Sequence, residues 1–204
     1  MPSFQRLISP SAKALLRRFE VESNWQLLPT ARAGSSKDFL IGGYESEEGR
    51  KMSYRFWVDK SKRRMKGLVH YGTHTQGPKG SAHGGSTASV LDVASGSLLW
   101  WLGEICVTGE LIVRYKRLIP LGSTLLIDAQ VTTSSDKKIQ VSASLCDVNV
   151  DGDYEKTGGG GGGGGDKEKQ DTKNDVYAAS TCTFIRIDPS KVGWGGKAGV
   201  GARG

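Results

Sequence analysis

The segment "SAHGGSTASVLDVASGSLLWWL", residues 81–102, decides the fold because small or apolar residues occupy nearly every position of it. From Gly84 to about Leu102 the pattern predicts one helix, and a helix that is apolar all round lies in the middle of a core. A single carboxylate, Asp92, interrupts this run, and no lysine or arginine lies at helical spacing to neutralise it. The segment therefore predicts a central helix with one acid that needs an explanation.

Long segments of alternating apolar and polar residues flank this helix and predict antiparallel strands. Before the helix, "MSYRFWVD" and "MKGLVHYG" are separated by the polar turn "KSKRR". After it come "TGELIVRYKRLIP", "STLLIDAQVTT", "KKIQVSASLCDVNV" and "DVYAASTCTFIRID". One buried helix with five or six antiparallel strands predicts an α+β domain in which a curved sheet wraps the helix.

The chain of 204 residues divides into three predicted parts, with room for one substantial core. Residues 1–45 form an N-terminal extension with one predicted helix, residues 46–190 form the α+β domain, and residues 191–204 form a disordered tail. The domain is interrupted at residues 151–175, where eight consecutive glycines predict a flexible loop because polyglycine has much backbone entropy to lose and nothing to bury. This loop lacks the lysine and Ser/Thr of a phosphate-binding loop.

The N-terminal extension supports two interpretations. Its first nineteen residues contain four basic residues and no acid, which is similar to a mitochondrial transit peptide. Alternatively, it forms an amphipathic helix that packs onto the domain through Leu15, Leu16 and Phe19. The helix is expected to lie outside the α+β unit in either case. The expected compartment is the cytoplasm or the mitochondrion.

Composition narrows the choice of partners. A net charge of +7 suits an anionic partner such as nucleic acid, an acidic membrane surface or a phosphate-bearing small molecule. No nucleic-acid motif is present, and no apolar run is long enough to span a bilayer. Three scattered cysteines predict free thiols in a reducing compartment, as small core residues. The three histidines and the cysteines do not show the spacing of metal ligands, so no metal is expected.

The His-Gly-Gly sequence at the start of the helix is a candidate anion site. A helix N-terminus presents unpaired backbone N–H groups and partial positive charge, and glycine lets a ligand approach closely. Gly84 and Gly85 could thus donate to an oxygen that gains negative charge in a reaction. Asp92 could be a base in a site lined by the helix. The alternatives are a glycine that relieves crowding and a carboxylate bonded to a nearby loop.

The spacing between these groups predicts a dimer. Gly85 and Asp92 are seven residues apart, which is roughly 10 Å along a helix. A base and an oxyanion donor that serve one carbonyl must each lie within about 3 Å of the reacting atoms or of a bridging water. Two copies of the helix are therefore needed, which predicts two-fold related, shared sites.

The residues "GPKGSAHGGSTASVLDVASGS" and "VTGELIVRYKRLIP" resemble the hotdog-fold acyl-coenzyme A thioesterases. The branch that they resemble includes the PaaI-type enzymes and the mammalian thioesterase superfamily members 4 and 5. The similarity runs from about Met52 to Asp188. It implies a hotdog fold, an acyl-CoA substrate hydrolysed to carboxylic acid and CoA, and no metal or redox cofactor. It also implies an obligate homodimer, or a tetramer made of two dimers. A non-catalytic acyl-CoA- or lipid-binding protein of this fold is the alternative, and nucleic-acid binding is a distant third.

The resemblance also implies roles for individual residues. Asp92 matches the catalytic acid, which activates water or attacks the thioester. Thr108 matches a hydroxyl residue that helps to position this water, and it is contributed, with Asp92, by the partner of the subunit that supplies the glycines. Gly84 or Gly85 would bind the thioester oxygen through a backbone N–H, and His83 would support this loop.

Three basic residues are candidates for binding the phosphates of CoA. Lys116 and Arg117 are expected to alternate across the end of a strand, and Lys79 lies close to the glycine loop. These residues could equally solvate the edge of a sheet. The chain departs from the pattern of the resembled family at Gly77-Pro78, where some relatives have an asparagine. Positioning of the water would therefore rely more on Thr108.

Overall fold

The computed structural model describes residues 2–22, 24–28, 52–148, 176–188 and 190. The helices are α1 (Pro2–Leu7), α2 (Pro10–Val21) and α3 (Gly84–Trp101). The strands are β1 (Gln26–Leu27), β2 (Met52–Asp59), β3 (Arg64–Tyr71), β4 (Cys106–Tyr115), β5 (Thr124–Ser134), β6 (Lys138–Asp147) and β7 (Val176–Arg186). The predicted insertion at 151–175 and the predicted tail at 191–204 lie wholly outside the described residues.

The strands of the described residues form a single antiparallel sheet in the order β1-β2-β3-β5-β6-β7-β4. The α+β class is confirmed, with one strand more than expected. The additional strand is β1, a two-residue strand of the N-terminal extension that pairs with Val58 and Trp57 of β2. Because α3 connects β3 to β4 at the far edge, the chain crosses one face of the sheet through this helix.

Helix α3 packs against that face, as its composition predicts. Its buried residues are Thr87, Val90, Leu91, Ala94, Ser95, Leu98 and Leu99. They share a core with Phe56, Val58, Met65, Val69, Ile127, Ile139, Val141, Leu145 and Phe184 of the sheet. Burying each leucine stabilises the fold by about 1.5–3 kcal/mol.

One face of α3 is not covered by the sheet of its own chain, contrary to the prediction of a fully enclosed helix. Asp92, Val93 and Gly96 are only half-buried, and the Trp100 side chain is 62% exposed. The reason is that β4, which packs beside this face, is the last strand at its edge of the sheet. The open face therefore leaves the carboxylate of Asp92 within reach of a ligand.

The N-terminal extension forms two helices rather than one. Pro10 stands at the first position of α2, where its missing N–H is not needed, and the Ser9 hydroxyl caps the helix by accepting the Ala12 N–H at 3.2 Å. These helices bury Phe4, Ile8, Ala12, Leu16 and Phe19 against Trp57 and Leu68 of the sheet. The helices thus lie on the outer face of the sheet, the face opposite to α3.

Within the described residues, no helix is long and apolar enough to cross a membrane. No three His, Cys, Asp or Glu side chains in this part of the chain are grouped so that they could hold a metal ion.

Candidate active site

The first turn of α3 presents one available backbone donor. His83 is the N-cap residue, and its Nδ1 accepts the N–H of Gly85 at 2.9 Å. The His83 carbonyl accepts the N–H groups of Ser86 and Thr87 at 3.0 and 3.3 Å. No described residue accepts the N–H of Gly84. Of the two glycines singled out in the sequence, Gly84 is therefore the one whose N–H is available to a ligand.

Tyr115 lies beside this donor, although the sequence analysis gave it no role. Its hydroxyl donates to the carbonyl of Gly84 at 3.0 Å, and a Cβ at Gly84 would lie 3.4 Å from its Cζ atom. Tyr115 is the last residue of β4, which runs back antiparallel to α3. A helix followed by a returning strand places the strand's end beside the helix's start, and this signal could have identified Tyr115.

The candidate acid, Asp92, lies near the middle of α3. The Thr108 hydroxyl donates to Oδ1 of Asp92 at 2.9 Å, so the two residues that the resemblance pairs are in contact within one chain. Gly109 follows Thr108 and is the extra residue of a β-bulge between β4 and β7. A Cβ at Gly109 would lie 2.8 Å from Cγ1 of Ile185, so only glycine fits without a shift. Bulges reorient neighbouring side chains, and this one lies next to the threonine that meets Asp92.

Cys182 of β7 also contacts Asp92. Its Sγ lies 3.7 Å from Oδ1 in the direction of donation, and the residue is fully buried. Burial, and next the nearby carboxylate of Asp92, raise the pKa of the Cys182 thiol to about 12. The thiol is therefore protonated at neutral pH and able to donate. From the sequence, this cysteine is predicted only as a core residue.

The three candidate phosphate-binding residues lie at the same end of the molecule as the start of α3. Lys116 and Arg117 directly follow β4, and the backbone N–H groups of both donate to the carbonyl of Tyr177. They therefore do not alternate across a strand, which corrects the prediction. The Arg117 guanidinium lies 4.5 Å above the Tyr177 ring. Lys79 is exposed in a loop that is held to residues 119–121 by backbone hydrogen bonds.

The antiparallel sheet and the central helix α3 define a fold class, the hotdog fold. Residues 79–151 match the family described as "Thioesterase superfamily". This range contains α3 and the strand that carries Thr108. This part of the chain is thus similar to the thioesterase superfamily, in agreement with the resemblance.

The individual relatives belong to the branch named in the resemblance. Acyl-coenzyme A thioesterase THEM4 of Mus musculus is 29% identical over 145 residues, which are 71% of this chain and 53% of the relative. Acyl-coenzyme A thioesterase THEM5 of Mus musculus is 33% identical over 95 residues, which are 47% of this chain and 38% of the relative. These alignments span about half the length of the THEM4 relative and less than half of the THEM5 relative.

Among solved structures, a mutant hypothetical thioesterase protein from Streptococcus pneumoniae TIGR4 has the same fold. It superposes with a TM-score of 0.50 at 14% sequence identity, and the superposition covers 66% of this chain and 90% of the Streptococcus pneumoniae chain.

Proposed function

We propose that this chain hydrolyses acyl-CoA thioesters to free carboxylic acids and CoA. The observation that carries the proposal is the contact between Asp92, on the open face of α3, and the hydroxyl of Thr108. A half-buried carboxylate that is open to a ligand and held by a hydroxyl donor can serve as general base or nucleophile. The relatives named acyl-coenzyme A thioesterases support this choice of substrate.

The proposed reaction adds water across the thioester. Asp92 accepts a proton from the attacking water, or its carboxylate attacks the carbonyl carbon and water hydrolyses the resulting anhydride. The carbonyl oxygen gains negative charge in the tetrahedral intermediate, and the Gly84 N–H at the positive end of α3 stabilises it. With Asp92 as the base, the carbon–sulfur bond then breaks, and the proton taken up from water passes to the CoA thiolate. With Asp92 as the nucleophile, the carbon–sulfur bond breaks as the anhydride forms, water then cleaves the anhydride, and a proton of that water passes to the thiolate. This reaction needs no metal or redox cofactor.

The proposed site is shared by two subunits. Gly84 and Asp92 are eight residues apart on one helix, which is roughly 12 Å along its axis. We therefore pair Gly84 of one protomer with Asp92 of the partner subunit. The edge position of β4 supports this arrangement, because Val107 and Ile112 of β4 and Leu118 beyond it are exposed large hydrophobic residues. An exposed edge strand with apolar side chains favours pairing with another chain.

The remaining parts of the proposal concern CoA and the compartment. Lys79, Lys116 and Arg117 would bind the phosphates at the rim of the site, with Lys116 and Lys79 as point charges and Arg117 as a planar donor. The cytoplasm or the mitochondrion suits the three free cysteines. Pairing of two dimers into a tetramer stays a prediction.

The experiment is a thiol-release assay over short, long and aryl acyl-CoA substrates. Asp92→Asn keeps the size of the side chain and an oxygen for Thr108, and should lower kcat by roughly 10²–10⁴-fold because the base or nucleophile is lost. Glu110→Gln, which neutralises another exposed carboxylate next to the bulge, is the matched control and should keep wild-type turnover. Unchanged turnover in Asp92→Asn would contradict the proposal. Tight acyl-CoA binding without wild-type turnover would instead indicate the non-catalytic binding protein.

A further inference from the structure

The carboxylate of Asp92 receives both of its described hydrogen bonds on the same oxygen. The Thr108 hydroxyl donates to Oδ1 at 2.9 Å from β4, and the Cys182 thiol lies 3.7 Å from the same atom on β7. No described residue donates to Oδ2. The two oxygens of this carboxylate therefore differ: one is held by the protein, and the other is left for a ligand.

We infer that Cys182 is a positioning residue that, with Thr108, holds Oδ1 of Asp92 so that Oδ2 is the oxygen that reacts. This inference rests on the proposed function and goes beyond it in assigning the two carboxylate oxygens and a role for the thiol. Oδ2 takes the proton of the attacking water or forms the bond to the carbonyl carbon. The thiol itself forms no covalent bond and keeps its proton throughout.

The surroundings of Cys182 suit a fixed donor. The residue is fully buried in the core between the sheet and α3, so its side chain is held by packing. Its raised pKa keeps the thiol neutral at the pH where the enzyme would work. An S–H group is a weak donor, so it adds little attraction but supplies direction.

Two donors restrict the carboxylate more than one donor does. With Thr108 alone, the carboxylate could rotate about its Cβ–Cγ bond while keeping a single hydrogen bond. A second donor from a different strand resists this rotation and keeps Oδ2 toward the open face of α3. Holding a reacting group in place is a recognised source of rate enhancement, and small misplacements are costly.

The first test compares substitutions of Cys182 that keep its size but differ in the donor. Cys182→Val removes the donor, and kcat should fall about threefold to tenfold while KM stays within about twofold. Cys182→Ser restores a hydroxyl donor and should return kcat to within about twofold of wild type. Cys146→Val, at a half-buried cysteine on β6 with no described contact to Asp92, is the control and should leave kcat unchanged. Equal kcat values for the Val and Ser variants of Cys182 would overturn the inference.

The second test measures the hydrogen bond without relying on turnover. In a Cys106→Ala, Cys146→Ala background, the single S–H stretching band in the infrared spectrum reports on Cys182. Replacing Asp92 by Ala should shift this band to higher frequency, because the acceptor is lost. An unshifted band would overturn the inference.

The two tests also separate the inference from the proposed function. If the wild-type chain releases no thiol from any acyl-CoA, the proposed function fails, and the infrared band still decides whether Cys182 donates to Asp92. If the wild-type chain is active and the Asp92→Asn variant is not, the proposed function stands. A normal kcat in Cys182→Val then refutes only the role of the thiol.

Discussion

Asp92 is the one charged residue of α3, and it has one oxygen bonded by Thr108 and a side chain that is only half-buried. Full burial would make an ionised carboxylate expensive. Partial exposure and a hydroxyl donor reduce this cost while leaving the group open to a substrate. At the scale of a single residue, the position of Asp92 on the open face of α3 is what supports its proposed role as a reactive acid.

The role of Thr108 can be tested at this scale. Thr108→Val keeps the shape of the side chain but removes a hydroxyl donor to a charged acceptor, which is worth about 1.5–3 kcal/mol. We expect kcat to fall roughly 10–100-fold, measured by thiol release. Thr108→Ser keeps the hydroxyl and should keep most of the activity. A valine variant as active as wild type would show that Asp92 does not depend on this hydroxyl.

The residues of one continuous segment could be predicted from the sequence, and those of distant segments could not. The glycines of the helix start and Asp92 follow from the pattern of a single helical run, whereas the role of His83 is implied by the resemblance. Cys182 lies 90 residues after Asp92, and its contact depends on the pairing of β4 with β7 and on the bulge at Gly109. No local pattern encodes this register.

At the scale of secondary structure, α3 and β4 act as one antiparallel unit. The chain reverses between Trp101 and Cys106, so that Thr108 meets Asp92 and Tyr115 meets Gly84 as the strand runs back along the helix. Gly84 at the start of the helix and Asp92 near its middle thereby each contact a residue of β4. A change at the first residue of α3 tests the donor end separately.

Gly84 stands at the first helical position, where proline is well tolerated and the preceding residue, His83, is already extended. Gly84→Pro removes the proposed oxyanion donor while keeping the helix, and kcat should fall about 10²–10³-fold. Gly84→Ala adds a Cβ beside Tyr115 but keeps the N–H, so it serves as the control and should keep most of the activity. Thiol release measures activity, and circular dichroism checks the helix. Equal activities of the two variants would exclude the Gly84 N–H as the donor.

The element boundaries show where sequence patterns succeed and where they fail. The bounds of α3 and of the five strands β2, β3, β5, β6 and β7 lie close to those that the sequence patterns predict, because each of these elements has buried residues that form a pattern. The predicted end of β4 lies too far along the chain, because "YKRLIP" continues to alternate. In the structure the strand ends at Tyr115, and the backbone N–H groups of Lys116 and Arg117 both donate to the carbonyl of Tyr177. The break before Pro10 was missed, although the Ser9-Pro10 pair carries the signal for a new helix start.

The whole molecule is a sheet with helices on both faces. Helix α3 covers one face, and α1 and α2 cover the part of the other face that contains Trp57 and Leu68. The alternation of β2 explains both layers, since Phe56 and Val58 face α3 while Trp57 packs against Phe19 of α2. The sequence predicted the first layer and left the second open, because the composition of the extension also suited a transit peptide.

The stability of the whole fold should depend on pH through His70. This side chain is buried beside the Thr124 hydroxyl, and burial lowers its pKa below the usual 6.5. The unfolded chain therefore takes up a proton at higher pH than the folded chain. The free energy of unfolding should fall as the pH drops through about 6.5, and denaturant unfolding at pH 7.5 and 5.5 measures this fall.

A matched pair of variants identifies the group responsible. His70→Gln should reduce the difference between the two pH values, whatever its effect on stability at pH 7.5. His74→Gln, at an exposed position, should leave the difference as in the wild-type chain. If both variants behave alike, His70 is not the source of the pH dependence.

The central claim is that each site combines Gly84 of one protomer with Asp92 of its partner, and subunit exchange tests it most directly. Gly84→Pro and Asp92→Asn, each inactive alone, are mixed and exchanged, and heterodimer formation is verified with two different affinity tags. Statistical exchange makes half of the dimers mixed, each with one intact site, so activity should recover to roughly a quarter of the wild-type value. Verified heterodimers without activity would contradict the shared site.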